Sequence, residues 1–109
     1  MSGGELAGRL RSRVAIERRD AARDALGGAS GEWTPIGHAW ADLAPHGTGD
    51  AVVGDARGMA ARWQVTLRAG QDVGVGDRLV WRGRRLRVRR RIESPAFPDR
   101  ITIEAEEER

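Results

Sequence analysis

The sequence contains no cysteine, no lysine and no tyrosine, and only one phenylalanine. Without cysteine there is no disulfide framework, thiolate nucleophile, zinc finger or iron–sulfur site. Without lysine there is no P-loop lysine for nucleotide phosphates and no Schiff-base chemistry. No serine stands in a Gly-x-Ser-x-Gly elbow, and His38 and His46 are the only side chains that titrate near neutrality unperturbed. Apolar runs are scarce too: none approaches the ~18 residues of a membrane span. The opening Met1-Ser2-Gly3-Gly4-Glu5-Leu6 lacks a signal peptide's apolar segment. The expectation is a protein that is not an enzyme, carries no cofactor or metal, and works where it is made or in an assembly built there.

What is present is arginine. All 19 basic residues are arginine, and 16 acidic residues bring the net charge to only +3. That balance permits nucleic acid as a partner without demanding it. The 109 residues make a single domain, 1–109, with an ordered core over about 6–106. The hydrophobic fraction of 39% lies below the usual ~45–50%, and 15 glycines point to long irregular stretches. A domain of this size buries roughly two-thirds of its unfolded surface, so a thin core completed by oligomerisation is expected.

Period-two alternation marks the strands. Leu10 to Arg19 places Val14 and Ile16 on one face, and Glu32 to Leu43 is a second extended segment with Trp33, Ile36, Trp40 and Leu43 as its bulky members. Pro35 sets part of that segment at an edge or bend. Ala60 to Arg68 alternates Trp63, Val65 and Leu67 against Arg62, Gln64, Thr66 and Arg68. Arg82-Gly83 between two alternating runs signals a two-residue hairpin with Trp81 opposite Arg84 and Leu79 opposite Leu86. Ser94 to Asp99, with two prolines, leads into a last strand, Arg100 to Glu106. The pattern predicts a mainly β fold, a small antiparallel β-barrel of five to six strands with a core of Val14, Ile16, Trp63, Val65, Leu67, Leu79, Leu86, Val88, Ile92, Ile101 and Ile103.

Two segments break the alternation. Asp20 to Gly31 reads as turn-rich, with room for one helical turn at Ala21 to Leu26. Pro45 to Gly58 reads as a long middle loop, with a short helix possible around Asp50 to Met59; its candidate gating or assembly residues are His46, Gly47, Gly49, Asp50, Val52, Val53, Gly54 and Asp55. A loop of this length without its own core is usually functional or disordered, and this one is expected to be mobile until assembly orders it.

Eight arginines fall between Arg78 and Arg91 with no acid among them. On a strand, Arg85, Arg87, Arg89 and Arg91 point away from the face of Leu86, Val88 and Ile92. A simple hairpin to the last strand, with Ile92 opposite Ile101, puts Arg89 opposite Glu104 and Arg87 opposite Glu106, ordinary cross-strand pairing worth ~0.2–1 kcal/mol each. Arg84, Arg85, Arg90 and Arg91 are left without an acidic partner and are candidates for a subunit interface or a DNA-channel lining. His46 with Asp50, or His38 with Asp42, has a spacing that binds metal only on a helix, and both pairs lie in loop or strand. Trp63 is expected in the core, whereas Trp33 and Trp81 could be exposed. One phenylalanine and no tyrosine argue against a single-strand-binding platform.

The order of these segments resembles the phage head-tail joining family, also called head-closure, stopper or connector proteins, of tailed phages, prophages and phage-like gene transfer particles. The residues that carry the resemblance are Leu10-Arg11-Ser12-Arg13-Val14-Ala15-Ile16, Arg23-Asp24-Ala25-Leu26-Gly27-Gly28, Glu32-Trp33, Ala39-Trp40-Ala41-Asp42-Leu43, Val65-Thr66-Leu67-Arg68 and Asp77-Arg78-Leu79-Val80-Trp81-Arg82-Gly83-Arg84-Arg85-Leu86. The resemblance implies a structural virion protein in the neck, made in the bacterial cytoplasm during assembly. It implies a homo-oligomeric ring, with portal and adaptor proteins above, a tail terminator or tail tube below, and packaged double-stranded DNA in the channel it closes. The middle loop from Gly47 to Gly58, richer in glycine and poorer in aromatics than the family pattern, and the arginine-rich hairpin depart from that pattern. Another virion ring protein and a free nucleic-acid-binding barrel are the alternative readings.

Overall fold

The computed structural model describes residues 2–19, 32–46 and 61–108. Six strands, β1 (Ser12–Arg19), β2 (Trp33–Pro45), β3 (Arg62–Arg68), β4 (Arg78–Trp81), β5 (Arg84–Glu93) and β6 (Arg100–Glu107), follow a helix α1 (Ser2–Arg9). Every strand pair is antiparallel, and the strands close into a barrel in the order β1-β2-β3-β6-β5-β4. Within β2, Trp33 to Ala41 pairs with β1 and Ala41 to Pro45 pairs with β3, so one long strand passes from one neighbour to the next.

The barrel interior holds Val14 and Ile16, Ala39 and Ala41, Val65 and Leu67, Leu79, Leu86 and Val88, and Ile101, Ile103 and Ala105, with Val73 added from the β3–β4 connection. Burying one such aliphatic side chain contributes about 1.5–3 kcal/mol. The buried residues of β2 are two alanines, Ala39 and Ala41, with Leu43 packed partly buried against the core, whereas its bulky Trp40 and Ile36 lie exposed on the outside. Ile36 is the surplus residue of a register shift: Ile16 faces Gly37, yet Glu17 faces Pro35. Pro35 thus sits where the strand bends.

The β4–β5 hairpin has the expected register, Trp81 opposite Arg84 and Leu79 opposite Leu86. Arg82 and Gly83 both take positive φ, 51° and 79°, as a turn matching the strand twist requires. The β5–β6 hairpin departs from expectation. Arg87 faces Glu106 as predicted, but a bulge at Arg89 shifts the rest by one, so that Arg90 faces Glu104, Arg91 faces Ile103 and Ile92 faces Thr102. A one-residue slip exchanges the faces of a strand. Ile92 therefore leaves the core and is only half-buried, and Arg91 joins the inward side. Trp63 is also only half-buried, packed against the rim of the core.

The helix is absent from the alternation-based reading, because Gly3 and Gly4 are poor helix formers. Tertiary contacts hold it: Leu6 is fully buried, and Arg9 binds Asp42 through Nε at 3.2 Å and Nη2 at 2.8 Å. Arg11 Nε closes the helix end on the Gly8 carbonyl at 2.9 Å.

Candidate interaction surface

Most arginines of the barrel are internal fasteners. Arg18 at the end of β1 donates from Nε to Asp77 Oδ1 (3.0 Å) and from Nη2 to Asp77 Oδ2 (2.9 Å), and it also reaches Asp72 (3.1 Å). Asp77 is nearly buried and takes a further bond from the Gly74 amide at 2.8 Å. Hydrogen bonds to Asp77 and then Asp72 raise the Arg18 pKa above its ordinary value, and the Arg18 bond holds Asp72 below the usual carboxylate range. From β5, Arg91 Nη1 donates to the carbonyls of Gln71 (3.1 Å) and Val73 (2.7 Å) while Nη2 meets Glu93 at 2.9 Å. Arg91 is thus a staple on the β3–β4 connection: the bulge turns it toward those carbonyls, while Glu93, two residues on, shares its face in any register.

A second group surrounds Trp33. The guanidinium carbons of Arg78, Arg87 and Arg19 lie 4.4, 4.8 and 5.0 Å from the ring centroid. Arg78 binds Glu17 at 2.7 Å and Arg87 binds Glu108 at 2.6 Å, so cation–π contact and ion pairing share the same cations. Arg87 Nε is buried without a hydrogen-bond partner, stacked in this cage.

The third group lies at the rim of the barrel. Trp63 and Trp81 meet edge to face, with centroids 5.4 Å apart, and Arg84 lies 5.6 and 5.7 Å from their centroids. Trp63 Nε1 donates to Glu107 Oε1 at 3.0 Å, and Arg84 comes within 3.8 Å of the same oxygen. Arg84 is therefore a partnered residue, and the reading of Arg84 and Arg91 as cations without an acidic partner is corrected: the simple hairpin stopped short of Glu107, and a search across the ladder overlooks Glu93 beside Arg91 on the same strand. Trp33 and Trp81 are half-buried rather than open to solvent.

What remains is a cleft on the outer face of β3, β6 and β5, lined by His46, Arg62, Arg89, Arg90, Glu104, Ala105 and Glu106. The bulge at Arg89 brings Arg89 and Arg90 to one cleft. Arg89 Nη2 donates to Glu106 Oε1 at 2.9 Å, and His46 Nε2 stands 3.9 Å from Glu104 Oε2. Among the described residues Arg90 and Arg62, although opposite Glu104 and Glu106 in the ladders, have no carboxylate partner, and neither has Arg85 on β5. Every carboxylate whose side chain is described, by contrast, has a partner. Of the candidate loop residues, His46 lines this cleft, while Gly47, Gly49, Asp50, Val52, Val53, Gly54 and Asp55 lie outside the described residues, as does the turn-rich 20–31. Asp42, from the His38 and Asp42 spacing, is held by Arg9. Arg62 was not singled out in the sequence; the signal for it is its place opposite Glu106, legible only once β3 and β6 are known to pair.

A family model described as phage head completion protein matches residues 6–108. None of the curated proteins matches the chain. The solution structure of protein SF1141 from Shigella flexneri 2a is similar in fold, with a TM-score of 0.57 and 22% identity over 92% of this chain and 94% of that one.

Proposed function

The chain belongs to the phage head completion protein family, which gives it a structural role in closing phage heads, and we propose that it does so as a homo-oligomeric ring at the head-tail interface. In this reading the ring sits below the portal and adaptor proteins, closes the DNA channel after packaging and docks the tail terminator or tail tube, with no enzymatic step. The observation that carries the reading is the span of the family match, which runs from α1 through the whole barrel to the end of β6. Two structural facts are compatible with it. The barrel ties its loop and rim together with its own arginines, as a rigid building block needs, and Arg62 and Arg90, without a carboxylate partner among the described residues, line an outer cleft. No described helix is long and apolar enough to cross a membrane.

The test is complementation. Particles assembled without this chain are expected to hold DNA poorly and to join no tails, and adding the purified protein should restore both, with a ring visible in the neck by electron microscopy. Tailed, DNA-full particles made equally well without the chain would refute the reading.

A further inference from the structure

We propose that the cleft between β3, β6 and β5 receives a carboxylate-bearing segment of a different protein chain of the particle, anchored by Arg62 and Arg90. This rests on the head-completion reading and adds the surface and the partner's chemistry. The bulge makes the cleft, since bulges re-aim side chains, and here one places consecutive arginines around a single depression. Arg89 is occupied by Glu106, which leaves Arg90, opposite Glu104, and Arg62, opposite Glu106, as two planar donors on either side of β6 without acceptors among the described residues. Guanidinium groups so placed suit bidentate capture of carboxylates.

The cleft's own charge pattern selects the class of partner. Three arginines stand with two carboxylates, Glu104 and Glu106. A DNA backbone would bring a continuous row of phosphates against both glutamates, and like charges in contact are costly. A polypeptide segment avoids that conflict by presenting carboxylates to Arg62 and Arg90 and N–H donors to Glu104. Each carboxylate whose side chain is described already has an ion-pair or hydrogen-bond contact within its own barrel, which favours an acid from another chain over these groups of a second copy.

Heads purified from a producing strain that lacks this protein are the probe. Full-length wild type, the Arg62→Gln/Arg90→Gln double variant and Arg85→Gln are compared for binding to these heads by co-sedimentation at several salt concentrations. The double variant is expected to need about tenfold more protein for half-saturation, with a shallower salt dependence. Arg85→Gln, equally unpaired but outside the cleft, should bind within about twofold of wild type, and self-association should be the same for all three. Arg90→Gln alone repeats the comparison if the double variant melts early. The proposal is overturned if the double variant binds heads as wild type does, or if Arg85→Gln loses as much. A loss of self-association instead would make a second copy the occupant, and duplex DNA displacing heads from wild type but not from the double variant would make it DNA. Wild type that neither binds nor completes heads refutes the head-completion reading itself; wild type and double variant both completing heads refutes only the cleft.

Discussion

Replacing Arg18 by alanine isolates the strongest fastener in the barrel. The change leaves Asp77, 5% exposed, with only the Gly74 amide to solvate its carboxylate. Removing one member of a buried ion pair costs ~3–5 kcal/mol. The Arg18 side chain is 42% exposed, so water replaces part of the lost interaction, and the expected loss falls to about 2 kcal/mol. In a domain of this size that corresponds to a melting temperature lower by roughly 8–16 °C. Asp72 bonds the same guanidinium but its side chain is 82% exposed, so Asp72→Ala should cost far less than Arg18→Ala. Double-mutant cycles from chemical denaturation separate the two: the coupling of Arg18 with Asp77 should exceed its coupling with Asp72 several-fold. Equal couplings, or an unchanged denaturation midpoint for Arg18→Ala, would refute the assignment of Asp77 as the buried anchor.

The bulge is tested by comparing Leu67→Ala, expected to cost ~2–5 kcal/mol, with Ile92→Ala, expected below ~1 kcal/mol because Ile92 faces outward; equal losses would mean that β5 runs without the bulge. Gly83→Ala should cost about 1–2 kcal/mol by denaturation, and since a Cβ there meets nothing within 4 Å, the cost is backbone strain at φ 79° alone. The Asp72 carboxyl, depressed by its bond to Arg18, stabilises the fold above its unfolded value and ceases to do so as pH falls through its lower folded value. The acid limb of the stability profile, below about pH 4, should therefore flatten in Asp72→Asn.

Where alternation is uninterrupted, the chain reads directly. Val65 and Leu67, Leu79 and Leu86, and Ile101 and Ile103 lie inside as their period requires, and the positive-φ pair Arg82-Gly83 marks the tight turn. What defeats the reading is an odd residue. The surplus Ile36 and Arg89 each shift the ladder by one; Pro35 marks the first as a bend, but no local residue preference announces the second, which moves Arg91 inward and Ile92 outward. Bulk also misleads in β2, where Ala39 and Ala41 fill the interior while Trp40 stays outside. The interaction surface was half legible. Arg84 and Arg91 have acidic partners that the strand pattern did not supply, Arg85 and Arg90 have none among the described residues, and Arg62 enters the cleft through the long-range pairing of β3 with β6.

Folding speed follows from the same strand order. Four of the ladders join strands adjacent in sequence, whereas β1–β4 and β3–β6 close the barrel over long stretches of chain. Glu17 meets Arg78 across a separation of 61 residues. Chain entropy must be surrendered before such contacts form, and barrels of this contact order fold in about milliseconds to seconds. Arg18 reaches Asp77 across a separation of 59 residues beside the β1–β4 closure, so if this contact forms after the barrel has shut, weakening it should quicken unfolding more than it delays folding.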